Sequence, residues 1–80
     1  MHELSLTQNV VAIVAEAAGR RRVKRVTLEV GTLAGVLTDS IAFCFDVVAR
    51  GTVVEGAALD IVSTLTAELK VKTMEVEEVT

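Results

Sequence analysis

The sequence predicts an α/β domain of the α+β, two-layer kind. Two helices are expected on one face of a small mixed three-stranded sheet, in the order α-β-α-β-β. Three observations predict this. A helical hydrophobic period runs through residues 4–18, a strict alternation takes over at Arg25, and beyond a second helical segment the closing third alternates again in two runs. Eighty residues hold one domain, spanning 1–80, and leave no room for a second.

In the first helix, Leu6, Val10, Ile13, Val14 and Ala17 recur at helical spacing and define one stripe. Ser5, followed three residues later by Gln8, reads as a capping box that satisfies free N–H groups at the helix start. Gly19 suits a left-handed stop, and the arginines after it complement the helix dipole. Val26, Leu28 and Val30 then alternate with Arg25, Thr27 and Glu29, a half-buried strand ending at Gly31. A loop through Gly35 leads to a second helix capped by Asp39 or Thr38, with Ile41, Phe45 and Val48 on its inner face. Cys44 widens that face as a small core residue, and Gly51 ends the helix.

The last third is strand-like. Leu59 and Ile61 flank Asp60, and Leu69, Val71 and Thr73 alternate with lysines. Met74 and Val76 continue on the opposite parity, which predicts a bulge near Thr73. Between the runs, residues 63–67 contain no Gly, Pro, Asn or Asp, poor chemistry for a hairpin turn. Such a link favours one long strand exchanged between two chains, hence a homodimer. The free sheet face is expected to be polar, carrying Thr27, Glu29, Lys70 and Lys72.

Composition narrows the function. Hydrophobic residues make up 51% of the chain and the mean hydropathy is +0.54, which excludes intrinsic disorder. One cysteine forms no internal disulfide and no zinc site of two or more thiolates. A net charge of −3 argues against nucleic acid as a partner. No apolar run reaches the roughly 18 residues of a membrane span, and no signal peptide is evident, so a cytoplasmic location is expected. Arg20, Arg21, Arg22, Lys24 and Arg25 supply five of the eight basic residues, a solvated helix end or a docking point for an acidic partner. No Ser/His/Asp set, phosphate-binding glycine loop or carboxylate pair points to an enzyme.

Met1-His2-Glu3 carries the most chemistry. A free α-amine, the amide nitrogen of His2 and its imidazole close adjacent chelate rings around one divalent metal, and Glu3 adds an amide nitrogen or a carboxylate. Nitrogen-rich planar ligation suits Ni(II) and Cu(II), whereas Zn(II) favours a tetrahedral cage. By spacing alone, a histidine at the second position is more often an ordinary terminal residue than a ligand.

The wider sequence adds a resemblance. Met1-His2-Glu3-Leu4-Ser5-Leu6, the strand from Val26 to Gly31, Asp39-Ser40-Ile41-Ala42-Phe43, the stretch Gly56 to Ile61 and the closing run Leu69 to Val76 together resemble the HypA/HybF family. These are nickel-incorporation proteins of hydrogenase maturation. The resemblance implies a metallochaperone that binds Ni(II) through the Met1 amine, His2 and Glu3, with Asp39 as a further carboxylate ligand. It implies two protein partners, a maturation GTPase and the large subunit of nickel–iron hydrogenase. Family members insert a zinc module with two Cys-x-x-Cys pairs between the last two strands. Here residues 63–67 bridge that gap, so no zinc is expected. The alternative is a scaffold of the same fold, without its zinc module and without nickel delivery, assembled as a strand-exchanged dimer.

Overall fold

The strand β1 (Val23–Gly31) is the hub of the molecule. The computed structural model describes residues 3–78. In it β1 pairs in parallel with β2 (Ala58–Thr64) and antiparallel with β3 (Leu69–Val76), giving the strand order β2-β1-β3. Two helices, α1 (Glu3–Ala18) and α2 (Thr38–Ala49), complete the predicted order of elements.

Alternation on β1 works as expected. Val26, Leu28 and Val30 are buried beneath the helices, while Thr27 and Glu29 are half-buried on the other face. Parallel register sets Leu59 and Ile61 beside Val26 and Leu28. On the other side Val30, Leu28 and Val26 meet Leu69, Val71 and Met74. Those three residues of β3 have mixed parity. They share one face because the register slips between Thr27 and Leu28, where β3 passes from Thr73 to Val71 and leaves Lys72 as the extra residue. The predicted bulge is therefore present, and it keeps every apolar side chain of β3 over the core. A second slip lies between Val23 and Arg25.

The open sheet face is mostly polar, though Val62 interrupts it at 38% exposure. Arg25 pairs with Asp60 at 2.6 Å, and Lys70 lies 3.7 Å from Glu29.

On α1 the buried line is Thr7, Val10, Val11, Val14 and Ala18. Val10 and Val14 are as expected, but Ile13 is 59% exposed and Ala17 is also outside. Apolar residues circle much of this helix, so its own period does not choose between two adjacent stripes. Packing against α2 and the sheet selects the line through 7, 11, 14 and 18. Ser5 lies inside the first turn of α1, so the expected capping box with Gln8 is not formed. Glycine stops follow both helices, Gly19 at φ 67° and Gly51 at φ 77°.

Helix α2 buries Ile41, Phe45 and Ala49, with Val48 half-buried. Cys44 is half-buried rather than part of the core, and Phe43 is 71% exposed. Neither Thr38 nor Asp39 is the cap. The helix begins one residue earlier, so its N-cap is Leu37, which offers no side-chain cap bond.

The largest departure is the link after β2. Strands β2 and β3 are not neighbours, and residues 65–68 carry the chain over the end of β1 from one sheet edge to the other. The amides of Gly31, Thr32 and Leu33 donate to the carbonyls of Glu68, Thr64 and Thr66 at 2.7, 2.8 and 2.9 Å. The Thr66 hydroxyl adds an acceptor for the Glu68 amide at 3.2 Å. Hairpin-turn residues are absent because no hairpin is made. Gly31 is required at this crossing: a Cβ there would overlap the Thr66 carbonyl, with its carbon at 2.5 Å and the Thr66 hydroxyl at 2.6 Å.

Candidate metal centre

Glu3 opens α1, and its main-chain oxygen accepts the Thr7 hydroxyl at 2.6 Å. Its side chain reaches the other helix, where Glu3 Oε2 accepts the amide N–H of Leu37 at 3.1 Å. In an ordinary capping box, the third residue of a helix supplies the carboxylate that reaches back to the N-cap amide. In α2 that position is Ser40, and the carboxylate comes instead from α1. The two helices therefore enter from the same end of the molecule.

Asp39 stands exposed in the first turn of α2, two residues beyond Leu37. Each helix start thus carries one carboxylate, where the positive end of the helix dipole favours negative charge. Of the predicted ligands, the structure brings Glu3 and Asp39 to one end, while Met1 and His2 lie outside the described residues. Among the described residues no group of three or more His, Cys, Asp or Glu gathers to hold a metal, and no cavity opens. The same end carries exposed leucines: Leu37 beside Glu3, and Leu33 at the link that holds Leu65.

The basic cluster lies at the far end, past the C-terminus of α1. Arg20 and Arg21 are exposed there, and Arg22 donates to the Glu55 carbonyl at 2.8 Å. Arg25 is committed to Asp60, whose hydrogen bond and charge raise the guanidinium further above its ordinary range, with help from Glu75. Cys44 is a free thiol midway along α2.

Two participants escaped sequence reasoning, the Leu37 amide and Thr7. A backbone donor leaves no mark in a sequence. Thr7 did leave one: it is a polar residue at the first position of the line 7, 11, 14 and 18, visible once that line is known to face inward.

The described residues form a small two-layer α+β domain whose two helix starts each carry a carboxylate, Glu3 and Asp39. The family model described as hydrogenase/urease nickel incorporation, metallochaperone, HypA matches residues 1–76, and the chain belongs to that family. A hydrogenase maturation factor HypA from Trichodesmium erythraeum is 60% identical over 62 residues, covering 78% of this chain and 54% of that protein. Its counterpart from Rippkaea orientalis is 58% identical over 65 residues, or 81% of this chain and 57% of that protein. The chain spans about half the length of the curated relatives it matches. The solution structure of the Ni metallochaperone HypA from Helicobacter pylori shares the fold with a TM-score of 0.72 at 16% identity, covering 98% of this chain and 95% of that one. No helix among the described residues is long and apolar enough to cross a membrane.

Proposed function

We propose that this chain is a nickel-carrying domain that serves nickel–iron hydrogenase maturation in the cytoplasm. It holds Ni(II) as cargo through the Met1 amine, His2 and Glu3, with Asp39 as a further carboxylate ligand. The maturation GTPase and the hydrogenase large subunit are its partners. One observation carries the reading: the Glu3 carboxylate is bonded to the amide two residues ahead of Asp39, so both acidic ligands belong to one end of the fold. A carboxylate offers about four lone-pair sites, so accepting the Leu37 amide is compatible with ligating a metal. The two carboxylates alone do not make a coordination sphere, and the nitrogens of Met1 and His2 complete it. Those nitrogens favour nickel or copper over zinc. Carboxylates at the two helix starts, with no cavity among the described residues, suit a carrier that must release its cargo to another protein.

Residues 63–67 stand where the family's zinc module is inserted, and this domain works without zinc. The bridge is satisfied within one chain by its bonds to the end of β1, which favours a monomer over the strand-exchanged scaffold.

The deciding experiment is calorimetric titration of Ni(II) into protein with an unextended Met1, read together with the absorption spectrum. Tight binding with a planar nitrogen-rich spectrum, lost in His2→Ala, is the expected result. Equal affinity in His2→Ala overturns the proposal.

A further inference from the structure

Thr7 is the one buried polar side chain among the described residues, at 1% exposure. Its neighbours along the inner face of α1 are Val10, Val11 and Val14, so a valine would serve packing equally well at that position. A hydroxyl in an apolar core is costly unless it is bonded, and this one is spent on a single acceptor, the Glu3 carbonyl, at 2.6 Å. Glu3 is then held at two points. Its main-chain oxygen is tied to Thr7 and its carboxylate to the Leu37 amide. Back-bonding of a threonine to the carbonyl four residues earlier adjusts the local course of a helix. Here the affected turn is the one that carries Glu3.

We propose that Thr7 is a positioning residue for the nickel site. Its buried hydroxyl sets the first turn of α1 so that the Glu3 carboxylate meets the Leu37 amide, the placement from which Glu3 would ligate nickel. This rests on the nickel reading above. It also has a consequence that needs no metal: without the hydroxyl, the Glu3–Leu37 bond loosens.

Two variants separate positioning from packing. Thr7→Val keeps the shape of the side chain and loses the hydroxyl. Thr7→Ser keeps the hydroxyl and loses a methyl group from the core. Ni(II) titration of protein with an unextended Met1 should show Thr7→Val weakened roughly tenfold or more, as for groups that orient a metal ligand. Its melting temperature should fall by no more than that of Glu3→Ala, since the bond it loosens outside its own turn is the Glu3–Leu37 cap. Thr7→Ser should melt earlier and bind nickel like the parent. In a Glu3→Ala background, Thr7→Val should bring no further loss, because its effect runs through Glu3. In the metal-free protein, hydrogen exchange at the Leu37 amide should quicken in Thr7→Val and not in Thr7→Ser. A parent that binds nickel alongside a Thr7→Val variant of equal affinity overturns the positioning role and leaves the nickel reading standing. A parent that takes no nickel overturns that reading, and with it the role toward nickel. Leu37 exchange then still decides whether Thr7 holds Glu3.

Discussion

Glu3 on the first helix caps the second, its carboxylate accepting the Leu37 amide at 3.1 Å. One side chain therefore ties the two helix starts together and stands among the proposed nickel ligands. Under that ligand role, variants at this carboxylate should affect both stability and nickel binding.

Glu3→Ala should lower stability by about 1 kcal/mol, the usual scale for a lost helix cap, and should weaken nickel binding. Glu3→Gln retains a carbonyl oxygen for the Leu37 amide, so its melting temperature should fall less while nickel affinity still drops. Thermal melts and titrations on both variants check this. Equal losses of stability in the two would show that the charge, rather than the hydrogen bond, holds α2.

A free amine at Met1 is a ligand in the proposed site. Acetylating it, or adding residues before it, should abolish tight nickel binding without changing the fold. Cys44→Ser should leave the affinity almost unchanged, since the thiol lies midway along α2. Calorimetry on blocked, extended and unblocked protein distinguishes these outcomes, and unchanged affinity after blocking would exclude the amine as a ligand.

Acid should release the metal. Imidazole and amine bind only when deprotonated, and their ordinary pKa values are about 6.5 and about 7.7–8.0. Both gain protons as pH falls, so protons compete with nickel on the acid side. Going from about pH 7.5 to about 5.5 should reduce affinity roughly a hundredfold or more. A flat affinity across that interval would mean that carboxylates alone hold the ion.

Gly31→Ala should be among the most damaging small substitutions, since its methyl group would strike the backbone of Thr66. Overpacking of this kind typically costs about 1–3 kcal/mol, or more against rigid backbone, and should lower Tm by roughly 10 °C or more. Gly19→Ala meets no atom within 4 Å and suffers only its backbone strain at φ 67°, so it should cost less. Comparative melts of the two variants test whether the crossing at the end of β1 is as tight as the geometry implies.

Assembly follows from the same crossing. With the bridge bonded to β1 inside one chain, light scattering should report a monomer at every concentration examined. Leu65, 89% exposed at the bridge, should tolerate Leu65→Ser with no loss of stability. A dimer that this substitution dissolves would identify the bridge as a contact between copies.

Much of the fold was legible because its signals are local. Alternation on Val26, Leu28 and Val30, the parity change at Met74 and the glycine after each helix are properties of a few consecutive residues, and all three appear as expected. Legibility stopped where one element chooses its contact on another. Ile13 and Val11 are equally apolar, yet only Val11 meets the interior. Asp39 has the chemistry of a cap, but the helix starts before it and takes its carboxylate from elsewhere. Glu3 was proposed as a ligand from the Met-His-Glu run and Asp39 from the family resemblance, and the placing of both carboxylates at one end is a matter of helix direction.

From the order of its residues alone, this chain had already declared its elements and their glycine stops, because side-chain period and backbone preference act over a turn or a few strand residues. Tertiary structure decided which stripe of α1 faces inward, that β3 crosses to the far edge of β1, and that the Glu3 carboxylate caps the entrance to α2. These depend on contacts between segments tens of residues apart, whose free energy is set by shared burial and hydrogen bonding across the whole domain.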